Sequence, residues 1–270
     1  MPRPPIPAAD RRASATVVLL IALLLAAVGL LRPATGQADI YNPTTMQDIP
    51  TSYYYPPPAP SYDPPPLYFP PLTPTTGGSS GSSSGASRPK IDRVLGYRRS
   101  PKVSRTVNRQ MAALFHKRLG RQGFDRKRFL KEADKGTFRA VFRRLIRPLG
   151  WSDSDYGDAI AAYAVSSYMI ANDVEELSGR ERIGAQMVEQ DLRARLRKNR
   201  RMKAMSSRAK QIATERLNTL TVIQTVQWAT ASPASRAQQA QAIRQAGRKT
   251  FGGDLGGVQL GYDGFEPREG

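Results

Sequence analysis

The chain has 270 residues, with 41 Lys and Arg against 22 Asp and Glu, a formal net charge of +19, a single histidine and no cysteine. The missing cysteine excludes a disulfide-stapled scaffold, a cysteine nucleophile and a lipid-modified N-terminal cysteine. Any Ser-His-Asp triad or histidine-ligated metal centre would have to pass through His116.

Residues 1–16 carry Arg3, Arg11 and Arg12 and lead into VVLLIALLLAAVGLL, fifteen apolar or glycine positions from Val17 to Leu31. That is the basic and then apolar layout of a secretory signal, and Gly36-Gln37-Ala38 supplies small residues for cleavage after Ala38. Residues 1–38 are therefore expected to be a signal peptide, with an uncleaved N-terminal anchor as the alternative. The Arg11-Arg12 pair fits a twin-arginine signal, but the strongly apolar run favours the general secretory route. The expected location is the periplasm, the cell surface or the outside, with no transmembrane segment in the mature chain.

Residues 39–92 read as a disordered linker. Its first part, including YYYPPPAPSYDPPP, favours extended polyproline II and acts as a semi-rigid spacer; residues 75–87, TTGGSSGSSSGAS, are flexible. The Pro/Tyr stretch could alternatively be a ligand for an aromatic-lined groove, or a route through a peptidoglycan mesh. The linker holds three Asp and no cation between residues 39 and 87, whereas residues 88–270 hold 37 Lys and Arg against 18 Asp and Glu. Charge also alternates along the basic part. Residues 88–147 carry 20 cations and four acids, residues 153–191 nine acids and two cations, and residues 193–210 nine cations and no acid. Such blocks are expected to neutralise one another on folding.

The spacing of apolar residues predicts an all-α bundle of six or seven helices over residues 93–265, followed by a short tail at 266–270. Val103, Val107, Met111, Leu114, Phe115 and Leu119 form one face of a first helix that Gly120 ends. Asp125 caps a second helix through about Ala133, and Phe138, Val141, Phe142 and Leu145 mark a third that stops before Pro148. A fourth, from about Asp153 to Ala171, has no charge between Ala159 and Asn172, so it is expected to be buried with Ile160 and Tyr163 in the core. Ser178 caps a fifth through Leu196. A sixth spans Ser207 to Thr230, with Ile212, Val222, Ile223 and Val226 as its heavier apolar positions. Ser232-Pro233 starts a seventh that ends at Gly252. No alternating strand is predicted.

Asp153, Asp155 and Asp158 form the densest acidic cluster. A calcium loop starting at Asp153 would need an oxygen ligand at its fifth position and glycine at its sixth, but the chain has Gly157 and Asp158 there. A helix start explains the cluster better: Ser152 as N-cap with Asp155 as its capping-box partner, Trp151 and Tyr156 as a hydrophobic staple, and acids beside the positive helix end. His116 points away from the apolar face of the first helix and is expected in solvent. Arg139, Arg143, Arg144 and Arg147 form a basic stripe that could bind an anionic envelope polymer, against the alternative of an ordinary solvated face. Arg193, Arg195, Arg197, Lys198, Arg200, Arg201 and Lys203 spread around the helix and are expected to complement a helix C-terminus and a polar connection. No glycine-rich phosphate loop, dinucleotide fingerprint, metal site or specific nucleic-acid motif is present, and no cofactor or catalytic residue is assigned.

The C-terminal FGGDLGGVQLGYDGF, with Gly253-Asp254-Leu255, Val258, Leu260 and Gly264-Phe265, resembles the ending of an uncharacterised family of exported bacterial proteins, a domain of unknown function. RVLGYRRSPKVSRTVNRQM and WSDSDYGDAIAAYAV, with Asp158, Ala159 and Tyr163, resemble two other stretches of that family. The resemblance spans residues 93–265 and implies export and an α-helical domain, with no activity or ligand attached. Two expectations of function follow: a non-enzymatic interaction or structural module held off by its spacer, or a hydrolase of cell-envelope polymer working through Asp153, Asp155, Asp158, Glu175 and Glu176.

Overall fold

The computed structural model describes residues 92–119, 124–251 and 253–268. The expected signal peptide and all of the expected linker before Asp92 lie outside the described residues. The described chain is an all-α bundle: α1 Pro101–Leu119, α2 Arg126–Lys135, α3 Thr137–Ile146, α4 Tyr156–Ala171, α5 Gly179–Lys198, α6 Arg200–Ala204, α7 Ser207–Thr230 and α8 Pro233–Thr250. A small hairpin, β1 Val258–Gly261 and β2 Gly264–Pro267, closes it. Among these residues no helix is long and apolar enough to cross a membrane.

Capping chemistry sets most boundaries. Asp125 accepts from the Arg128 amide and starts α2, which runs to Lys135 before Gly136, at φ 83°, turns the chain directly into α3. Ser178 and Glu181 form a full capping box on α5, and Ser206 and Ser232 cap α7 and α8. The start of α4 differs from expectation. Its N-cap is Asp155, not Ser152: Asp155 Oδ1 accepts from the Gly157 and Asp158 amides, and Ser152 instead donates its own N–H to Asp158 Oδ2 at 2.7 Å. The reason is tertiary, because Gly96 and Asp155 pair as an isolated β-bridge that holds residue 155 extended, so helical dihedrals begin only at Tyr156.

α4 and α7 form the central pair, which explains why α4 is apolar on every side. On one flank α1, α2 and α3 pack around Val107, Met111, Phe115, Phe129, Phe138 and Phe142. On the other, α5, α8 and the hairpin cover Ile160, Ala164, Tyr168, Leu192, Phe251 and Leu255. Ile160 is fully buried as expected. Tyr163 is only half-buried, lying against the Phe251 ring at 5.9 Å.

α7 does not follow its apolar pattern. Val222 and Val226 are buried, but Ile212 and Ile223 are half-exposed, while Gln211, Thr214, Thr221 and Gln224 are almost wholly inside. Partners meet the two glutamines: Gln211 brackets the Ser100 backbone and reaches Ser104 and Glu215, and Gln224 donates to Ser166 and Ser167 of α4, whereas the Thr214 and Thr221 hydroxyls have no partner among the described residues.

The hairpin was absent from the sequence expectation because its strands are four residues each and glycine-rich. Tertiary packing holds it: Leu260 and Phe265 pair across it and face inward, and the Leu260 amide donates to the Tyr168 hydroxyl. The helix–hairpin contact is backbone on backbone, since a Cβ at Gly184 of α5 would collide with the Gly261 carbonyl. The three atoms nearest to a Cβ at Gly261 all belong to the end of the Glu266 side chain, which can swing away. Gly184→Ala is expected to destabilise the domain by about 1–3 kcal/mol and Gly261→Ala by clearly less, read from denaturant unfolding midpoints.

Candidate functional site at the start of the central helix

The acidic cluster divides between two sets of arginines. Asp155 and Asp158 converge on Arg193, from the middle of α5. Its NH1 donates to Asp158 Oδ1 at 2.6 Å and Glu189 Oε1 at 3.0 Å, and its NH2 donates to Asp155 Oδ2 at 3.0 Å and Asp92 Oδ2 at 3.2 Å. Arg197, one turn later, makes two bonds to the same Asp92 oxygen. The guanidinium fork suits this role, offering several donors in a fixed plane. Asp92 in turn accepts from the Val94 and Leu95 amides, so the first described turn of the chain is tied to α4 through Arg193 and to α5 through both Arg193 and Arg197. Gly157 permits the approach: a Cβ there would lie 2.8 Å from Arg193 Cγ and 3.1 Å from Leu95 Cδ1.

Carboxylates outnumber guanidiniums at this junction, and Lys210, which reaches the Arg93 carbonyl, is the next cation. Burial is the main reason that Asp158 is pushed up to about 6, with Glu189 beside it adding to the shift against the pull of the Ser152 amide and Arg193. Asp155 is raised by burial and by Asp158. Asp92 goes the other way: burial opposes ionisation there, but the Arg197 bonds and two backbone amides outweigh it and hold the group at about 2.

Asp153 belongs to the second set. Its Oδ2 accepts from Arg139 and from Arg143, both on α3, while its backbone carbonyl takes the Tyr97 hydroxyl and the Asn218 amide. Beside it lies a cavity of about 40 Å³ that also touches Arg99, Ser104, Glu215 and Asn218. At roughly 10–15 Å³ per water that space holds a few waters, too little for a sugar ring.

The basic stripe is thus split. Arg139 and Arg143 are bound to Asp153, whereas Arg144 and Arg147 are exposed and form no ion pair with a described residue. Glu175 pairs with Arg236 and Glu176 with Arg182. All five carboxylates expected for a hydrolase are therefore engaged by arginine, and the 40 Å³ cavity takes in only Asp153 of the five. His116 is exposed, as expected. Among the described residues no group of three or more His, Asp or Glu is placed to hold a metal ion.

Arg193 is the residue the sequence expectation misplaced, since it was assigned with its neighbours to a helix end and a polar connection. Asp191–Arg195 and Glu189–Arg193 are i,i+4 pairs, a spacing visible in the sequence; the reach to Asp92, Asp155 and Asp158 is not. Lys198, Arg200, Arg201 and Lys203 are exposed on and around the short helix α6, which stands where a polar connection was expected. No protein-family model, curated protein or solved structure matches this chain.

Two outcomes test the junction. Arg193→Gln leaves buried carboxylates without their cation and is expected to cost about 3–5 kcal/mol in chemical unfolding. For pH, a carboxyl raised in the folded state binds its proton more tightly there, so its contribution to stability is greatest at low pH and is lost as pH rises from about 4 to 6. Asp92, at about 2, has the opposite sign but acts below that window. Asp158→Asn is expected to remove much of the fall in stability between pH 4 and 6, on the order of 1–3 kcal/mol, measured as the difference between variant and parent unfolding curves. An unchanged pH slope in the variant would assign the effect to other groups.

Proposed function

We propose that the chain is an exported, non-enzymatic interaction module whose helical domain, held out on its Pro/Tyr and Gly/Ser spacer, engages anionic envelope polymer through a broadly cationic surface. One observation carries the reading: most of the described acids are drawn into ion pairs and caps, while many of the cations stay outside and form no ion pair with a described residue. Lys102, Arg105, Arg109, Lys127, Arg144 and Arg147 on α1, α2 and α3 are all exposed and form no ion pair with a described residue. A surface of this kind attracts polyanions through counterion release. Export rests on the N-terminal basic and apolar pattern, and on the family resemblance of residues 93–265.

The attraction is diffuse, since Asp153 removes two arginines from the α3 stripe and α6 presents a second exposed basic group. At low ionic strength the protein is expected to bind a single-stranded polynucleotide, used as a generic polyanion, with an affinity that falls steeply with salt. Arg144→Gln with Arg147→Gln and Arg200→Gln with Arg201→Gln should each flatten the log–log salt dependence by about 0.7 per contact removed, and to a similar extent. Salt-independent binding, or none at low salt, would refute the proposal. A loss confined to the α3 pair would replace the diffuse surface with a focused site.

A further inference from the structure

Residues 92–97, ahead of α1, are clasped to the bundle by backbone and side chains together. Around the Gly96–Asp155 bridge, the Tyr97 amide donates to the Ser154 carbonyl and the Tyr156 amide to the Leu95 carbonyl. The Tyr97 hydroxyl reaches the Asp153 carbonyl, and the Lys210 amine reaches the Arg93 carbonyl. Arg193 and Arg197 hold Asp92 from α5. Leu95 and Tyr97 are the buried apolar side chains of this segment, set against far larger clusters between the helices, so its departure leaves most of the core in place.

At the centre of the clasp the charges balance only with one proton added. Arg193 NH1 donates both to Asp158, at 2.6 Å, and to Glu189, at 3.0 Å. The two carboxyls stand close enough to share a hydrogen bond, and two acceptors form one only with a proton between them. The charged groups gathered here are Asp92 of the turn, Asp155 and Asp158 of α4 and its cap, Glu189, Arg193 and Arg197 of α5, and Lys210 of α7. Asp153 is turned away to Arg139 and Arg143. Four acids thus face three cations, and a single proton makes the set neutral.

Without that proton a surplus negative charge is left in a buried place. Opening the turn relieves it in two ways, by carrying Asp92 off and by letting water reach the acids that remain. We infer that the junction is a proton-operated latch: with a proton between Asp158 and Glu189, residues 92–97 are clasped to α4 and α5, and without it they come away more readily while the helical bundle stays folded. The turn is the joint between the domain and the residues that precede it, so the latch sets the stiffness of that joint. It does not rest on the cationic surface proposed above, and the two fail separately.

The direction follows from linkage. Asp158 holds its proton more tightly when clasped than when in water, so the clasp is firmest in acid and its advantage is lost as pH rises from about 4 to 6.

Amide hydrogen exchange of the full chain, corrected for the intrinsic rate at each pH, reads the latch at the Tyr97 and Tyr156 amides. Their opening is expected to rise by on the order of tens of fold between about pH 4 and 7 and to level off above that. In sub-denaturing urea at about pH 7 their exchange should hardly respond to urea, whereas the slowest amides of α7 should accelerate with it, because only those require global exposure. Asp158→Asn, neutral and still able to donate to Glu189, should keep both amides protected at neutral pH. Glu189→Gln should also flatten the pH dependence, since it removes the acid that competes for Arg193. Opening in the parent that does not change with pH, a pH dependence that survives in both variants, or exchange at Tyr97 and Tyr156 that follows urea as steeply as that of α7 would each overturn the inference.

Discussion

The guanidinium of Arg193 ties the start of the described chain, α4 and α5 to one another. Four carboxylates from three separate stretches of sequence meet it, and the meeting fixes where the chain enters the bundle, where α4 begins and how α5 lies against it. A buried charge carries a desolvation cost of several kcal/mol, and only multiple good hydrogen bonds offset it. Arg193 has four. Burial, with Glu189 beside it, pushes Asp158 up to about 6 against the pull of the Ser152 amide and Arg193.

A second constraint is the polarity of α7. Thr214, Asn218 and Thr221, at steps of four and three, line one side of a helix that runs through the middle of the described bundle, and each has a buried oxygen without a partner among the described residues. Each such atom costs about 1–3 kcal/mol unless water meets it. The interior therefore contributes less than its volume suggests. The aromatic cluster of Phe115, Phe124, Phe129 and Phe138, with successive ring centroids 4.9–5.9 Å apart, packs in the flank built by α1, α2 and α3.

Charge placement links fold to function. Acids in residues 153–191 face arginines from the flanking basic blocks: Asp153 meets α3, while Asp155 and Asp158 meet α5. What remains outside is a surplus of cations on α1, α2, α3 and α6. Carboxylates so engaged are poorly suited to general acid–base work, because each already serves as the counterion of a structural arginine. On the function proposed above, the exposed cations are what would meet an anionic polymer.

The sequence by itself determined the helices, all but the short α6. Asp125, Ser178, Ser206 and Ser232 cap where local chemistry says they should, and α7 runs from Ser207 to Thr230 as its pattern predicts, because caps and 3.6-residue periodicity act within a few residues. The sign alternation also announced that the blocks would pair. Only the tertiary structure decided which residues paired. It moved the α4 cap from Ser152 to Asp155 by bridging Gly96 to that residue, and made Arg193 a hub by bringing Asp92 across 101 residues. It also buried Gln211 and Gln224 by supplying their partners, and seated a glycine-rich hairpin on Gly184. Each of these depends on a contact whose members are far apart in the chain, and local propensity carries no information about such a contact.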